Sequence, residues 1–184
     1  MLTAADLAAR TGGSELKRIV YSEAEIADRV AQMGREITDA YSSREPLLVL
    51  GLLKGSFVFV ADLVRQIARP LQVDFLVAAS YGADTSSSGD VRLLYDAGAE
   101  LVGRHVLLVE DIVDSGTTLN RLVPMLEARS PGSLEVCALL HKHIAPTLAR
   151  EPRWVGFDAP EEFLIGYGLD RSEDFRNLPF IASL

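Results

Sequence analysis

The run Val106-Leu107-Leu108-Val109-Glu110-Asp111-Ile112-Val113-Asp114-Ser115-Gly116-Thr117-Thr118 gathers the groups best suited to chemistry. A buried strand delivers two adjacent acids to its carboxyl end. A third acid follows three residues later, and a Ser-Gly-Thr-Thr turn opens a helix. Gly116 lets the backbone approach an anion closely. Free N–H groups at the helix start, with the helix dipole, favour a phosphate, and Ser115, Thr117 and Thr118 add hydroxyl donors. Glu110 and Asp111 would repel a phosphate beside them, so they suit sugar hydroxyls or a divalent metal. One short segment can therefore hold a phosphorylated sugar at both ends. A solvated acidic turn capped by Asp114 would explain one acid and a glycine, but poorly three acids and three hydroxyls at the mouth of a buried strand.

Such a segment needs a sheet to hold it. Residues 1–16 are weakly patterned, with Gly12-Gly13 as a break, and read as a peripheral lead-in. Ser22 and Glu25 form a capping-box signature, and Ile26, Val30, Met33 and Ile37 recur at helical spacing. Leu47 to Leu53 is a continuous apolar run, as in a strand buried on both faces. Lys54-Gly55-Ser56 turns the chain into a helix over about 57–68. Val73–Ser80 reads as a strand, followed by a long Ser/Gly-rich loop to Asp90 with a returning strand over Val91–Tyr95. His105–Val109 and Leu134–Leu140 are further strands around a helix reaching about Arg129, and short strands are expected at 154–157 and 163–167. This alternation implies an α/β fold, a central parallel sheet flanked by helices. Ligands in such sheets sit beyond the carboxyl ends of the strands, where the 54–56, 80–90 and 110–118 segments fall.

Composition narrows the function. The 184 residues suit one domain, expected as a core over roughly 40–145 with a small hood from about 150–184 and the N-terminal lead-in. The net charge of −8, with no basic stripe, argues against nucleic acid as a partner. The single cysteine, Cys137, lies in an apolar strand and allows no intrachain disulfide, which fits a reducing compartment. The N-terminus lacks signal-peptide character, and no apolar run is long enough to span a bilayer, so no membrane partner and a cytoplasmic location are expected.

The 106–118 segment resembles the phosphoribosyl pyrophosphate signature of the type I phosphoribosyltransferases. Leu53-Lys54-Gly55-Ser56, Ser80-Tyr81-Gly82, Lys142, Val155-Gly156-Phe157 and Phe163-Leu164-Ile165-Gly166-Tyr167-Gly168-Leu169-Asp170 follow in the family's order. Together they resemble the hypoxanthine-guanine branch, over about residues 21–178. That resemblance implies a magnesium-dependent purine-salvage transferase joining hypoxanthine or guanine to ribose 5-phosphate, and a homodimer or homotetramer. It implies that Glu110 and Asp111 hold the ribose hydroxyls, directly or through magnesium, and that Ser115, Gly116, Thr117 and Thr118 cradle the 5-phosphate. Asp114 would be the general acid/base at purine nitrogen 7. Lys54 and Gly55 would line the pyrophosphate site, in a turn where the family tends to carry a cis peptide, and Arg176 would contact pyrophosphate. Ser80 and Tyr81 would belong to a closing loop. Lys142 would donate to the 6-oxo oxygen, Phe163 would stack on the base, the Leu164 backbone would meet its edge, and Asp170 would bind a second magnesium.

Each residue also has a plainer reading. Phe163 alone would be core and Arg176 a surface charge. His141 and His143, flanking Lys142, read as polar edge residues and are weak metal evidence. The 143–151 stretch lacks an obvious family pattern and leaves hypoxanthine, guanine and xanthine open. A regulator that senses phosphoribosyl pyrophosphate and binds nucleic acid is the non-enzymatic alternative; the acidic balance and Asp114 weigh against it.

Overall fold

The computed structural model describes residues 4–41, 46–80 and 91–184. The elements run α1 (Ala4–Thr11), β1 (Arg18–Tyr21), α2 (Glu23–Ala40), β2 (Leu47–Leu53), α3 (Phe57–Gln66), β3 (Leu71–Ser80), β4 (Val91–Tyr95), β5 (His105–Val113), α4 (Thr117–Glu127), β6 (Ser133–His141), β7 (Trp154–Asp158), β8 (Leu164–Ile165) and β9 (Ile181–Ser183). A six-stranded sheet has the order β4-β3-β2-β5-β6-β7, and a three-stranded sheet has the order β1-β9-β8. All pairings in the large sheet are parallel except that of β4 with β3. It is an α/β fold with helices on both faces.

The apolar run of β2 supplies both faces because successive side chains alternate. Leu48, Leu50 and Leu52 pack with Leu119, Leu122, Val123 and Leu126 of α4. Leu47 and Val49 pack on the other face with Val30, Met33 and Ile37 of α2 and Phe59 and Leu63 of α3. At the start of α2 the Ser22 Oγ accepts from Glu25 N, while Ser22 N donates to Glu25 Oε2 at 2.8 Å, a complete capping box. The expected spacing therefore starts this helix where the side chains can satisfy its free N–H groups.

Three differences from the sequence reading matter for the site. β5 continues to Val113, because Glu110, Ile112 and Val113 pair with Ala138, Leu140 and His141 of β6. The acids thus sit within the strand rather than beyond it. The strand at Trp154–Asp158 is the edge of the large sheet, paired with β6, and not part of a hood beginning near 150. The lead-in contains α1, and β1 joins the small sheet through β9.

The small sheet has its own cluster, Ile165, Leu178, Phe180 and Ala182, with Leu7, Leu16 and Leu184 packed on it. Leu164, Tyr167, Leu169 and Ile181 join the main core. Tyr167 also donates a 2.6 Å hydrogen bond to Asp62 Oδ2 of α3. Burial, together with that bond, pushes the Tyr167 hydroxyl well up, keeping it protonated as a donor. Leu108 lies fully buried in the central strand that leads to Glu110. Leu108→Ala is expected to cost about 2–5 kcal/mol, read as a lower urea midpoint with an unchanged slope.

Candidate active site

The carboxyl ends of β2 and β5, with residues of β3 and β4 and the segment joining β8 to β9, line a cleft of about 590 Å³. Lys54, Gly55, Glu110, Asp111, Thr118, Asp170, Glu173 and Arg176 supply its polar wall. A narrower hollow of about 60 Å³ is formed by Glu110 and residues 112–119. The two share Glu110 and Thr118, so the acids of β5 stand between them.

The turn after β2 is shaped for close approach. The Leu53–Lys54 peptide is cis. A methyl group on Gly55 would fall 1.6 Å from Asp111 Oδ2, and one on Gly168 would fall 2.1 Å from Gly55 O. Only glycine lets the turn lie between the strand acids and the Gly168 backbone. Above it, Arg176 Nη1 donates to Gly168 O at 2.8 Å, and Arg176 Nη2 pairs with Asp170 Oδ1 at 2.8 Å. Glu173 N donates to Asp170 Oδ2 at 2.9 Å.

Glu110 is buried, and its Oε2 has no hydrogen-bond partner among the described residues. Burial pushes its pKa well up, and the neighbouring Asp111 charge adds to that. Burial also raises Asp111, although its bonds to Glu110 and to the Ile112 N–H offset part of the effect. A buried carboxylate oxygen without a partner is costly, so this pair has an unmet demand for a donor or cation.

The narrow hollow is the start of α4. Gly116 is the N-cap at φ 78° and has no side chain to cap the helix; the Thr117 N–H makes a long 3.5 Å bond to Ser115 Oγ. Ser115 Oγ and Thr117 Oγ1 lie 2.9 Å apart. Residues 145–149 wall the loop: a methyl on Gly116 would meet Leu148 Cδ2 at 2.5 Å and Ala145 Cβ at 3.1 Å. Asn120 fixes that wall, donating to Thr147 O at 3.0 Å and accepting from Ala149 N.

Beside the loop, Lys142 Nζ lies 2.9 Å from Asp114 Oδ2, with Lys142 N bonded to Val113 O at 2.9 Å. Parallel pairing of β5 and β6 brings these residues, 28 apart in the chain, to one edge. His141 is buried with its ring 3.9 Å from that of His143, whose Nε2 meets Asp158 Oδ1 at 2.7 Å. Burial, then the adjacent His143, lowers the His141 pKa. His143 is thus a paired edge residue, and His141 is buried against its ring.

The chain matches the phosphoribosyl transferase domain over residues 18–172. It is 43% identical to a hypoxanthine-guanine phosphoribosyltransferase of Dictyostelium discoideum over 91% of this chain and 95% of the relative. The chain belongs to the hypoxanthine-guanine phosphoribosyltransferase family. A hypoxanthine phosphoribosyltransferase of Salmonella typhimurium is 42% identical over 90% of this chain and 94% of its own length. Among solved structures, a hypoxanthine-guanine phosphoribosyltransferase of Bacillus anthracis superposes with a TM-score of 0.87 at 40% identity, covering 92% of this chain and 99% of that one.

In this phosphoribosyltransferase, the cleft and hollow bring together Lys54, Gly55, Glu110, Asp111, Asp114, Ser115, Gly116, Thr117, Thr118, Asp170 and Arg176, and Lys142 joins them through Asp114. Phe163 is 56% exposed and lines neither space, and Leu164 is buried in β8. Ser80 ends β3, whereas Tyr81 lies outside the described residues. Glu173 and Asn120 escaped the sequence reading. Glu173 stands in the charged run Asp170-Arg171-Ser172-Glu173-Asp174, whose only local signal is its spacing of three from both Asp170 and Arg176.

The raised Glu110 pKa has a definite consequence. The folded value exceeds the unfolded one of about 4.3, so the folded chain holds the proton more tightly. Stability is full below that unfolded value and falls as pH rises through the folded one. Glu110→Gln is therefore expected to melt higher than the parent at neutral pH without metal or ligand, with the difference vanishing near pH 4; equal melting at both pH values would contradict the desolvation argument.

Proposed function

We propose that the chain transfers the 5-phosphoribosyl group from phosphoribosyl pyrophosphate to nitrogen 9 of hypoxanthine or guanine, yielding IMP or GMP and pyrophosphate. The observation that carries this reading is the Lys142–Asp114 pair at the edge of the phosphate-type loop. A 6-oxopurine presents its 6-oxo oxygen and nitrogen 7 on one edge. Lys142 donates to the oxygen, and Asp114 holds the proton at nitrogen 7. Adenine offers an amino donor where the ammonium also donates, so the pair disfavours it.

The 5-phosphate binds at the α4 N-terminus, on the loop of Ser115, Gly116, Thr117 and Thr118. Glu110 and Asp111 face the ribose hydroxyls, and Lys54, Gly55 and Arg176 face pyrophosphate. The bond from the anomeric carbon to pyrophosphate breaks, nitrogen 9 bonds to that carbon, and Asp114 takes the proton the base gives up. Positive charge developing on the ribose is stabilised by the carboxylates of β5. Phe163 stacks on the base, the Leu164 backbone meets its edge, and Ser80 and Tyr81 belong to the segment that excludes water.

Magnesium suits this site by its donor set. The buried Glu110 oxygen without a partner, Asp111 beside it, and Asp170 across the cleft are hard oxygen ligands. Among the described residues no group of three or more acidic, histidine or cysteine side chains converges as a metal cage, which fits an ion held largely by substrate phosphates. When bound, magnesium offsets the charge of the departing pyrophosphate. A homodimer or homotetramer in the cytoplasm completes the proposal; no described helix is long and apolar enough to cross a membrane.

The test is pyrophosphate release with magnesium and phosphoribosyl pyrophosphate, supplying hypoxanthine, guanine, xanthine or adenine in turn. Release with hypoxanthine and guanine but not adenine is expected; release with none, despite tight phosphoribosyl pyrophosphate binding, would leave a sensor instead. Asp114→Asn should keep phosphoribosyl pyrophosphate binding and slow turnover ~10²–10⁴-fold, measured by steady-state kinetics. Lys142→Ala should raise the KM for the base more than that for phosphoribosyl pyrophosphate; equal rises would make Lys142 structural.

A further inference from the structure

Glu173 stands at the mouth of the large cleft and joins the two cations there. Its Oε1 lies 2.9 Å from Lys54 Nζ, and its Oε2 lies 3.2 Å from Arg176 Nη2. Its own N–H is fixed on Asp170 Oδ2 at 2.9 Å. The backbone holds it there in the left-handed region, at φ 73°, directly after Ser172 at φ 54°. One carboxylate thus takes both side-chain cations of the cleft wall, each through a different oxygen, as two oxygens of a phosphate group would.

The same contacts engage Asp170. Its Oδ1 faces Arg176 and its Oδ2 accepts from Glu173 N. Arg176 is therefore shared between Asp170 and Glu173, and among the described residues Lys54 pairs with Glu173 alone. An incoming pyrophosphate group must displace one carboxylate to meet both cations. Glu173 is the displaceable one: its side chain is 64% exposed, against 31% for Asp170. Exposed pairs are weak and side chains of this kind reorient readily.

We propose that Glu173 is a built-in competing anion: it occupies Lys54 and Arg176 in the empty site and must leave them when pyrophosphate or the diphosphate of phosphoribosyl pyrophosphate binds. This rests on the assignment of Lys54 and Arg176 to pyrophosphate. The contact keeps both long cationic side chains directed into the cleft while lowering affinity for the anion. Product pyrophosphate meets the same competition, so the carboxylate promotes its departure.

The experiment is calorimetric binding of pyrophosphate to the parent, Glu173→Gln and Lys54→Met, with and without magnesium. Glu173→Gln keeps the size and hydrogen-bonding reach of the side chain and removes its charge. Two exposed pairs lost together predict about three- to tenfold tighter pyrophosphate binding, with the gain shrinking as salt is raised toward ~1 M, where screening is nearly complete. Lys54→Met should weaken binding. Unchanged or weaker binding by Glu173→Gln, with Lys54→Met weakened, overturns the competing anion and leaves the pyrophosphate assignment standing. Weakening by Glu173→Gln only with magnesium overturns it in favour of a carboxylate that faces the metal. A gain that persists in high salt overturns its electrostatic origin. Unchanged binding by Lys54→Met removes the pyrophosphate assignment and the inference with it.

Discussion

The arrangement depends on keeping two carboxylates together at the buried end of β5. Glu110 lies inside the strand ladder, its Oε2 has no partner among the described residues, and Asp111 stands beside it. Such a pair opposes folding unless the surrounding sheet is strong enough to hold it. The continuous apolar strands supply that strength, for β2, β5 and β6 are buried on both faces by α2 and α3 on one side and α4 on the other. The pair's unmet demand suits a cation or hydroxyl donors, and Lys54, Asp170, Glu173 and Arg176 line the same cleft.

The glycines set how closely the surrounding parts approach that pair. The turn after β2 passes directly under Asp111, and Gly168 presses on the turn from the hood. Arg176 braces the segment that carries Gly168 from within, through Gly168 O and Asp170. At the other end of the acids, Asn120 and residues 145–149 hold the phosphate-type loop against a fixed wall. The stretch after Lys142 that follows no obvious family pattern thus has a structural task, bracing the start of α4.

Much of this was legible in the chain itself. Strand runs, the capping box at Ser22 and the acid-rich strand–turn–helix segment are local patterns, because hydrophobic periodicity and helix capping act over a few residues. The motif at 106–118 and the order of the smaller segments also marked the family. α1, β1 and β9 were not legible: they have eight, four and three residues, and so short an element is fixed by what it packs against rather than by its own preference. The membership of Trp154–Asp158 in the large sheet was equally hidden, because a strand's sheet depends on its partner.

The sequence by itself determined the kinds of chemical group and the elements that carry them: acids ending a buried strand, hydroxyls opening a helix, a lysine ending the next strand. Tertiary structure decided which of them meet. Parallel pairing of β5 with β6 set Lys142 on Asp114, and folding of the hood onto the β2 turn set Glu173 between Lys54 and Arg176. Residues 119 apart, as Lys54 and Glu173 are, share no local signal. Their contact exists only because the packed core fixes two separate backbones within reach, and electrostatic attraction then operates over a few ångströms.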